Sequence, residues 1–581
     1  MRFWAALLVA LSLFPLTVRA EAQPFTVTIE GLKKGSLLRN IEAQLSIRTE
    51  VREQTDARPL SDRRLRSLHR RAEEDIRGAL NPFGYYDTEI TSDFNLDERR
   101  ATYTIVTLGP RTVVRDIAIR IEGEGKTFEP LKDLRARLRI QPGEPLRHQR
   151  YNDDKSSFSQ AAFEYGFLDG RFLVSDLWVY PDEQAADIEW RFDTGTRWRF
   201  GEISVESDNI DEDVVRRYLR IEENAYFSPR DVLNTQLALT DLGYFTQVEV
   251  VPDRDNQSET HVPMAIRTTP IKDVLYSAGI GYGTDTGARL SLGAEWRRLN
   301  RRGHKLRTDL RLSEIQNRIG TEYRIPLGSK IGEFLSFHTG YIDEEFDEGE
   351  TERYEIGASL TREPGDWSQR TYITYEQEQS RLGNQFTDTD LLIPGVSFTR
   401  SELDDPIHPR NGWYALIDVH GASDDALSTT TFLQTLAQAR FVLPLWDSAR
   451  LLLRGEYGAT LNEDLAELPA SQRFFAGGDQ SVRGYAYRSI GPRDDSGENI
   501  GGEYMTTFSA EIEQTVWGNF GAAAFLDAGG VDNKPGPALS QGVGVGMRYR
   551  APIGYINLDL AHPLRRPETG VRLHLGIRVG L

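Results

Sequence analysis

The sequence predicts a chain in two parts: three repeated α+β modules, followed by a 16-stranded antiparallel transmembrane β-barrel. Two observations lead to this fold class. In the first 270 residues, a glycine followed by aromatic or apolar residues recurs at Gly84, Gly166 and Gly243, and such a regular spacing indicates a repeated module. After residue 270, apolar and polar residues alternate with a period of two, which is typical of strands that place one face in an apolar environment.

The composition narrows the classes of function. The 581 residues include no cysteine, which excludes disulfide scaffolds, thiolate metal sites and a cysteine nucleophile. The net charge of −19 argues against a nucleic-acid-binding surface, which needs clustered Lys and Arg. The nine histidines are scattered, and the sequence contains neither a zinc-protease motif nor a phosphate-binding loop. We therefore expect no enzyme activity, no cofactor, no metal site and no nucleic-acid partner.

The start of the chain predicts a signal peptide over residues 1–20. Arg2 provides a positive charge, an apolar stretch follows, and Val18 and Ala20 occupy the small-residue positions before a cleavage site. A short membrane anchor is the alternative, although the apolar stretch is shorter than a spanning helix needs. The rest of the sequence contains no apolar run of about 18 residues, so no helical membrane span is expected.

The last helix of each module is predicted to end at the repeated glycine. Before Gly243, the sequence "SPRD" at 228–231 favours a helix start, because Ser can cap a helix and Pro suits its first turn. Leu233, Leu237 and Leu242 are then predicted to share one helical face. Gly243 is suited to the left-handed conformation that ends a helix, and an alternating strand follows it.

A second repeat supports three modules of the order β-α-α-β-β. The sequence "GPRTVVRDIAI" at 109–119 matches "GTRWRFGEISV" at 195–205, and "TIEG" at 28–31 matches "RIEG" at 120–123. Three unrelated α+β domains are the alternative. The predicted modules span residues 21–109, 110–195 and 196–270.

Residues 271–581 predict the barrel. Sixteen alternating segments occur between 274 and 581, which leaves room for the roughly 9–11 residues that a transmembrane strand needs and gives the even number expected of a bacterial barrel. Acidic breaks such as "DEEFDEGETE" at 343–352 are predicted to be solvated loops. The last segment, 571–581, has an apolar residue at every second position. A large soluble β-protein is the alternative, and it would have to bury these faces elsewhere.

A long connection between barrel strands 11 and 12 carries the most unusual residues of the barrel, in "FFAGGDQSVRGYAYRSIGP" at 474–492. If this loop folds into the barrel, Arg483 becomes a buried cation that needs partners. Alternation in the next two strands points Glu511 and Asp527 into the lumen. We therefore predict charge-assisted hydrogen bonds between Arg483 and these carboxylates. The central residues of the loop, called the loop motif below, are Val482, Arg483, Gly484 and Tyr485.

The loop motif, followed in strand 13 by "FLDAG" at 525–529, resembles the outer-membrane protein insertase superfamily. That superfamily includes the assembly-machine subunit BamA, the two-partner secretion transporters and the TamA proteins. The modules resemble its POTRA domains, and "DDPIHPRNGW" at 404–413 resembles a stretch that precedes one of its central strands. The resemblance implies a sixteen-stranded barrel in the outer membrane of a Gram-negative cell, with the modules in the periplasm.

The resemblance also implies roles for particular residues. In this superfamily, the loop arginine contacts an acidic residue of the strand-13 motif and another in the strand before it. These positions fall on Arg483, Asp527 and Glu511. The same motif includes Phe525 and Gly529.

Three modules and the loop sequence resemble most closely one branch of the superfamily, the translocation and assembly module subunits known as TamA. BamA-like members usually have five POTRA domains, and two-partner transporters have two. The TamA resemblance implies a TamB-like, inner-membrane-anchored partner that docks on the modules. It also implies that unfolded outer-membrane proteins such as autotransporters are substrates, and that outer-membrane lipid is a further partner in envelope lipid transport.

The superfamily further implies a barrel whose first and last strands join weakly and part as a lateral gate. Glycine weakens strands, so the sequence permits such a seam. The glycines could instead make room for side chains in the lumen. Ile280 and Ile577 are expected to lie near each other across the seam. Two other functions stay open, namely a passive export pore of the two-partner type and a scaffold for the partner. The predicted seam glycines are Gly279, Gly281, Gly283, Gly576 and Gly580.

Overall fold

The predicted signal peptide lies outside the part of the chain that the structure describes, and no helix in that part is long and apolar enough to cross a membrane. The chain divides into two compact units, the first holding most of residues 24–201 and the second most of residues 202–579. The computed structural model describes residues 24–53, 60–253, 260–346, 349–406, 408–551, 554–564 and 570–579.

Each predicted module contains one sheet, which has three strands among the described residues. The first module consists of β1 (Thr26–Glu30), α1 (Ser36–Gln44), α2 (Ser46–Glu53), α3 (Asp62–Leu80), β2 (Glu89–Asn95) and β3 (Arg100–Thr107). The second consists of β4 (Val113–Glu122), α4 (Glu129–Ala136), α5 (His148–Glu164), β5 (Arg171–Tyr180) and β6 (Ala185–Asp193). The third consists of β7 (Arg199–Glu206), α6 (Glu212–Arg216), α7 (Pro229–Asp241), β8 (Phe245–Pro252) and β9 (His261–Pro270). The last strand of each module lies in the centre, giving the orders β1-β3-β2, β4-β6-β5 and β7-β9-β8.

Helix α3 shows how an apolar stripe builds a module. Ser61 caps it by accepting a hydrogen bond from the backbone N–H of Arg64. Its buried residues recur at spacings of three and four and pack in one core with the central strand β3. Burying each large side chain of this stripe contributes about 1.5–3 kcal/mol to folding. The stripe consists of Leu65, Leu68, Ala72, Ile76, Ala79 and Leu80.

Two details of the modules differ from the predictions. The first module has an additional helix, because Leu45 adopts an extended conformation (φ −68°, ψ 101°) and separates α1 from α2. In α7, Leu233 and Leu237 are exposed rather than buried. The prediction for α7 was wrong because Leu242, which is buried, lies beyond the helix end at Asp241 and does not follow the helical spacing. The buried residues of α7 are Thr235, Ala238 and Leu239.

Two of the three repeated glycines, Gly84 and Gly166, lie where one module meets the next. Gly84, Gly166 and Gly243 all have left-handed backbones, with φ of 89°, 90° and 73°. A Cβ on Gly84 would lie 2.6 Å from the carbonyl oxygen of Leu146, and one on Gly166 would lie 2.6 Å from that of Phe227. Leu146 and Phe227 belong to the following modules, so close approach between modules, as well as the backbone conformation, requires glycine here.

The second part of the chain forms a closed antiparallel barrel, which has sixteen strands within the described residues. The first eight are β10 (Val274–Gly283), β11 (Gly287–Trp296), β12 (Lys305–Ser313), β13 (Gln316–Pro326), β14 (Phe334–Phe346), β15 (Gly349–Arg362), β16 (Ser368–Leu382) and β17 (Gln385–Leu403). The last eight are β18 (Gly412–Ala422), β19 (Phe432–Trp446), β20 (Ala449–Asn462), β21 (Tyr504–Trp517), β22 (Phe520–Asp532), β23 (Ser540–Ala551), β24 (Gly554–Pro563) and β25 (Arg572–Val579). Neighbours in sequence pair with each other, and β25 closes the barrel against β10.

The outer surface of the barrel is that of a transmembrane protein. Large apolar side chains such as Ile356, Phe508 and Val545 are exposed on it. Trp446 and Trp517, at the ends of β19 and β21, are exposed as well, at the barrel end where β10 begins. An apolar band with aromatic residues at its edge is the pattern of a barrel in a bilayer.

The third module is fastened to the barrel by the turn between β11 and β12. The hydroxyl of Tyr244 donates a hydrogen bond to the carbonyl of Gly303 over 2.6 Å. Arg301 in the same turn forms an ion pair of 2.7 Å with Asp211, just before α6. Both contacts join parts of the second compact unit.

The acidic stretch at 343–352 is a strand hairpin and not the solvated loop predicted. Strand β14 runs to Phe346, β15 starts at Gly349, and Glu344 lies opposite Thr351. Glu344 is 7% exposed. The prediction was wrong because an arginine from the long loop between β20 and β21 pairs with Glu344, and charge composition alone does not reveal such a partner.

Candidate functional site: the luminal loop and the barrel seam

The long connection between β20 and β21 is packed inside the barrel, and residues 463–503 are called the luminal loop below. Its apolar side chains are buried against two strands of the inner wall, which makes the loop part of the barrel core. Val482 has no exposed surface, and Tyr485 is buried. The buried cluster consists of Phe474, Ala476, Val482, Tyr485, Ile490, Met505 and Val531.

The predicted partners of Arg483 lie around its guanidinium. Nε donates to Oδ2 of Asp527 over 2.7 Å, and Nη2 donates to Oδ1 over 3.0 Å, so this pair is bidentate. Nη1 donates to Oε2 of Glu511 over 2.7 Å. The guanidinium also lies over the ring of Phe525, 3.4 Å from its centroid. Arg483 is 6% exposed, so the loop places a buried cation among partners from β21 and β22.

Two further charged residues belong to the network, and the sequence analysis missed them. Asp559 of β24 accepts a hydrogen bond from Nη1 of Arg483 over 3.1 Å. Arg548 of β23 forms ion pairs of 2.5 Å with both Glu511 and Asp559. The two arginines therefore share two carboxylates, and four neighbouring strands contribute to the network. Alternation along β23 and β24 could have placed Arg548 and Asp559 in the lumen.

The charges hold Arg483 in its protonated form. Burial lowers its pKa, but the hydrogen bonds and charges of Asp527 and Glu511 more than offset this, so the pKa lies above its usual value. A network in which every buried charge has a partner fixes the loop. Removal of one member would leave the others buried and uncompensated.

The other residues of the two motifs have separate structural roles. Gly484 has a left-handed backbone (φ 97°), and its N–H donates to Nε2 of His574 in β25 over 3.0 Å. The hydroxyl of Tyr485 donates to the carbonyl of Gln541 over 3.2 Å. A Cβ on Gly529 would lie 2.7 Å from Cγ2 of Val482, so Gly529 provides the space that Val482 fills.

The luminal loop also contacts the turn between β10 and β11. The backbone N–H of Asp479 donates to Oδ2 of Asp285 over 2.5 Å. Burial raises the pKa of both carboxyl groups. Together with the contact between Gly484 and His574, this bond connects the loop to both sides of the barrel closure.

A second arginine of the luminal loop binds the acidic hairpin. Arg488 forms an ion pair of 3.1 Å with Glu344 of β14. The hydroxyl of Tyr487 donates to the same carboxylate over 3.4 Å. The luminal loop is therefore bound both to β14 and to the strands β21 and β22, which lie far from β14 in the strand order.

The closure between β10 and β25 contains several of the predicted seam glycines. Within the described residues, β10 pairs with β25 at three positions and with β11 at ten. Gly281 lies opposite Arg578, and Gly283 lies opposite Gly576, whereas Gly279 has no described partner on β25. Gly580 lies outside the described residues.

The structure fixes the register of the seam, which the sequence left open. Ile577 lies opposite Tyr282 and not Ile280. The difference is two residues, and a shift of two keeps every side chain on the same face of the sheet. Alternation in the sequence therefore could not distinguish these registers.

A cavity of about 700 Å³ lies inside the barrel beside the network. Asp479 and Arg483 of the luminal loop line one part of it. Pro409, in the turn between β17 and β18, lines another part and accepts a hydrogen bond from Arg450. Within the described residues, no group of three or more His, Asp or Glu side chains is arranged to hold a metal ion.

Family models match three regions of the chain. Residues 284–580 match the Omp85 superfamily domain, which is just over half of the sequence. Residues 26–107 match the POTRA domain TamA domain 1. Residues 198–267 match the POTRA model described as surface antigen variable number repeat.

The individual proteins that resemble this chain share less than a quarter of its residues over the aligned regions. The chain is 24% identical over 446 residues to the outer membrane protein assembly factor BamA of Nitratidesulfovibrio vulgaris, which covers 72% of this chain and 55% of the relative. It is 23% identical over 561 residues to the BamA of Neisseria meningitidis serogroup B, covering 84% of this chain and 70% of that one. The chain thus spans about half the length of the first of these relatives.

A solved structure has the same fold. The crystal structure of BamA from Haemophilus ducreyi lacking POTRA domains 1-3 superposes with a TM-score of 0.69 at 17% identity, covering 80% of this chain and 99% of that chain. The barrel described above is therefore an outer-membrane barrel, and its modules are POTRA domains that lie in the periplasm. By the match of its barrel, this chain belongs to the Omp85 superfamily.

Proposed function

We propose that the chain assembles β-barrel proteins in the outer membrane by offering the edge of its first barrel strand to an incoming strand. The observation that carries the proposal is the closure of β10 on β25, which includes a pair in which both residues, Gly283 and Gly576, are glycines. Glycine weakens strands, so this seam is suited to part. The backbone N–H and C=O groups exposed at a parted edge template the addition of another strand.

The interior of the barrel favours this lateral route over an axial one. The luminal loop is anchored by buried ion pairs, and Arg450 holds the turn between β17 and β18 at the cavity. A polypeptide that crossed the lumen would have to displace both. An export pore of the two-partner type remains the alternative function, and it requires that displacement.

The proposal extends to partners of the TamA kind. The match of residues 26–107 to a TamA POTRA model supports a TamB-like, inner-membrane-anchored protein that docks on the POTRA domains. Autotransporters are then the expected substrates, and lipid transport coupled to the same partner is a further role. If deletion of residues 24–107 leaves co-purification of an inner-membrane-anchored protein unchanged, this docking proposal is wrong.

The seam itself is tested by a reversible disulfide. The chain has no cysteine, so Tyr282→Cys with Ile577→Cys introduces a single possible bond. These residues lie directly opposite each other, and opposed antiparallel residues have Cα atoms about 4.5–5.5 Å apart, within reach of a disulfide. The control is Ile280→Cys with Leu290→Cys, which joins β10 to β11, where pairing is already complete.

The assay measures folding of a substrate barrel by proteoliposomes that contain the full chain. We expect the seam disulfide to abolish assembly and reduction to restore it, while the control disulfide has no effect. Full activity with the seam bond closed would contradict the lateral gate and favour the pore or a scaffold.

A further inference from the structure

Two arginines of the inner wall oppose each other without a carboxylate partner. Arg440 of β19 lies directly opposite Arg454 of β20. Like charges in directly opposed positions destabilise a strand pair. Within the described residues, no carboxylate oxygen lies within the 4.0 Å of an ion pair from either guanidinium. This pair therefore places two positive charges side by side without a direct ion-pair partner, with Arg440 exposed and Arg454 partly buried.

Neighbouring residues place this pair in the lumen. Nη2 of Arg454 donates to the carbonyl of Ser481 in the luminal loop over 3.0 Å. Tyr414 lies opposite Arg440 on β18, and its ring centroid is 5.7 Å from that guanidinium. On the other side, Ser509 lies opposite Arg454, and its hydroxyl donates to Asp527, which already binds Arg483. Asp527 and Glu456 attract Arg454 electrostatically, but neither forms an ion pair with it, and Asp527 already binds Arg483.

Most of the other arginines around the cavity have a carboxylate partner, whereas Arg289 donates to the hydroxyl of Thr286. Arg450 forms an ion pair of 2.6 Å with Glu513. Arg548 binds two carboxylates over 2.5 Å. Arg440 and Arg454 are therefore two adjacent arginines that line the cavity without an ion pair.

The cavity has the charge and the access that an anion needs. Of the described residues that line it, seven are arginines and four are Asp or Glu, although the whole chain has a net charge of −19. Arg440, Arg454 and Tyr414 line the same space as Tyr282 and Ile577 at the seam. A ligand could therefore reach the arginine pair from the seam without crossing the luminal loop.

We propose that Arg440 and Arg454 bind a phosphate group, carried by a lipid headgroup or present as free phosphate. Guanidinium groups bind carboxylate and phosphate through paired N–H donors. Two such groups offer more donors than the two oxygens of one carboxylate accept, whereas a phosphate has additional oxygens and a higher charge. The hydroxyl of Tyr414 supplies one more donor at the cavity surface.

The test is direct binding by the purified full chain in an uncharged detergent, so its outcome is independent of assembly activity. Inorganic phosphate and acetate are titrated by calorimetry at matched ionic strength. The variants are Arg440→Gln and Arg454→Gln. The control is Arg318→Gln, which removes the same charge from a guanidinium that pairs with Glu355 at 3.5 Å and does not line the cavity.

We expect saturable phosphate binding by the parent and the control, and at least about tenfold weaker binding by each variant, the cost of about 1.4 kcal/mol. Arg440→Lys keeps the charge but not the planar fork, so its phosphate affinity should lie between that of the parent and that of Arg440→Gln. Such an intermediate affinity shows that the loss in Arg440→Gln does not come from misfolding. Dihexanoyl phosphatidylglycerol that binds more tightly than phosphate identifies a lipid as the source, and equal affinity identifies the free ion. Absence of saturable binding, binding that all variants retain, or acetate bound as tightly as phosphate would overturn the proposal.

Discussion

The wall of β20 to β24 and the seam between β25 and β10 are both built from alternating strands, but different contacts stabilise them. Adjacent strands of the wall pair along their lengths, and three of them bind Arg483 through buried carboxylates. At the seam, three residue pairs join the described strands, and glycine occupies both members of one pair. One barrel thus contains a rigid region and a weak one.

The difference shows how the rigid side can control the weak one. The loop motif is fixed to the wall by Arg483, and from there Gly484 reaches His574 on β25 and Asp479 reaches Asp285 beside β10. Contacts of this kind are individually modest, about 0.5–1.5 kcal/mol for a hydrogen bond. The described part of the closure has three residue pairs, so these hydrogen bonds together make up a substantial share of the free energy that holds it closed.

Removal of the central cation should give the largest effect. In Arg483→Ala, Asp527 and Glu511 lose a partner while they stay buried, which costs about 3–5 kcal/mol. We expect the loop to leave the wall and assembly activity to fall at least about tenfold, which corresponds to 1.4 kcal/mol or more. Limited proteolysis of residues 474–492 and substrate assembly in proteoliposomes measure the two effects.

The matched control for this prediction is Arg318→Ala. Arg318 pairs with Glu355 at 3.5 Å in a partly exposed position, and such pairs contribute about 0–1 kcal/mol. If both variants retain a protected loop and full activity, the charge network does not anchor the loop.

The sequence predicted the centre of this network but not its full extent. Alternation along β21 and β22 was sufficient to place Glu511 and Asp527 in the lumen, because one face of each strand is apolar. It did not bring in Arg548 and Asp559, because alternation gives the face of a residue and not its height relative to a loop. The partners of a buried arginine depend on strand register, which is a tertiary property.

The seam shows the same limit. The glycine pattern of the first strand was visible in the sequence, but the pairing of Tyr282 with Ile577 was not. Sliding β25 by two residues preserves every inward and outward position, so the hydrophobic pattern has no preference between the two registers. The hairpin at 343–352 was missed for a related reason, since the charge of Glu344 is compensated by a residue that is 144 positions away in sequence.

A glycine comparison sharpens the contrast between wall and seam. In Gly529→Ala the new methyl group would lie 2.7 Å from Val482, and overpacking of this kind costs about 1–3 kcal/mol. In Gly576→Ala no heavy atom of the described residues outside the neighbouring positions lies within 4 Å, so the change should be nearly neutral. The midpoint of thermal unfolding by gel mobility should fall for the wall variant only.

A double variant separates steric overlap from other effects at this site. Val482→Ala removes the atom nearest to the new methyl group, while Cγ2 of Thr507 at 3.0 Å remains, so the double variant should recover part of the stability that Gly529→Ala loses. Equal losses at Gly529 and Gly576, or no recovery in the double variant, would mean that the packing of the loop motif does not distinguish the two regions.

The smallest expected effect concerns pH, at the contact between the luminal loop and the β10–β11 turn. Burial raises the pKa of Asp285 and Asp479, so their protonated forms are favoured in the folded chain. Their contribution to stability is present below the ordinary Asp value of about 3.9 and is lost as pH rises through the raised pKa values. Arg289, Arg572 and His574 also face this site. We expect Asp479→Asn to strengthen the contact at neutral pH, because one buried charge is removed while the backbone N–H that binds Asp285 remains.

The control for this pH effect lies in the same loop and has the opposite sign. The side-chain hydrogen bond from Ser496 lowers the pKa of Asp494, so its contribution is present above the ordinary Asp value and is lost as pH falls through the lowered pKa. Hydrogen exchange of loop amides is measured between pH 4 and pH 8 in parent and variant. Near residue 479, Asp479→Asn should exchange more slowly than the parent at the same pH, and this difference should grow as pH rises. Asp494→Asn should instead show faster exchange near residue 496 at every pH in this range. If Asp479→Asn exchanges like the parent at neutral pH, the buried carboxylates do not weaken the loop at the seam.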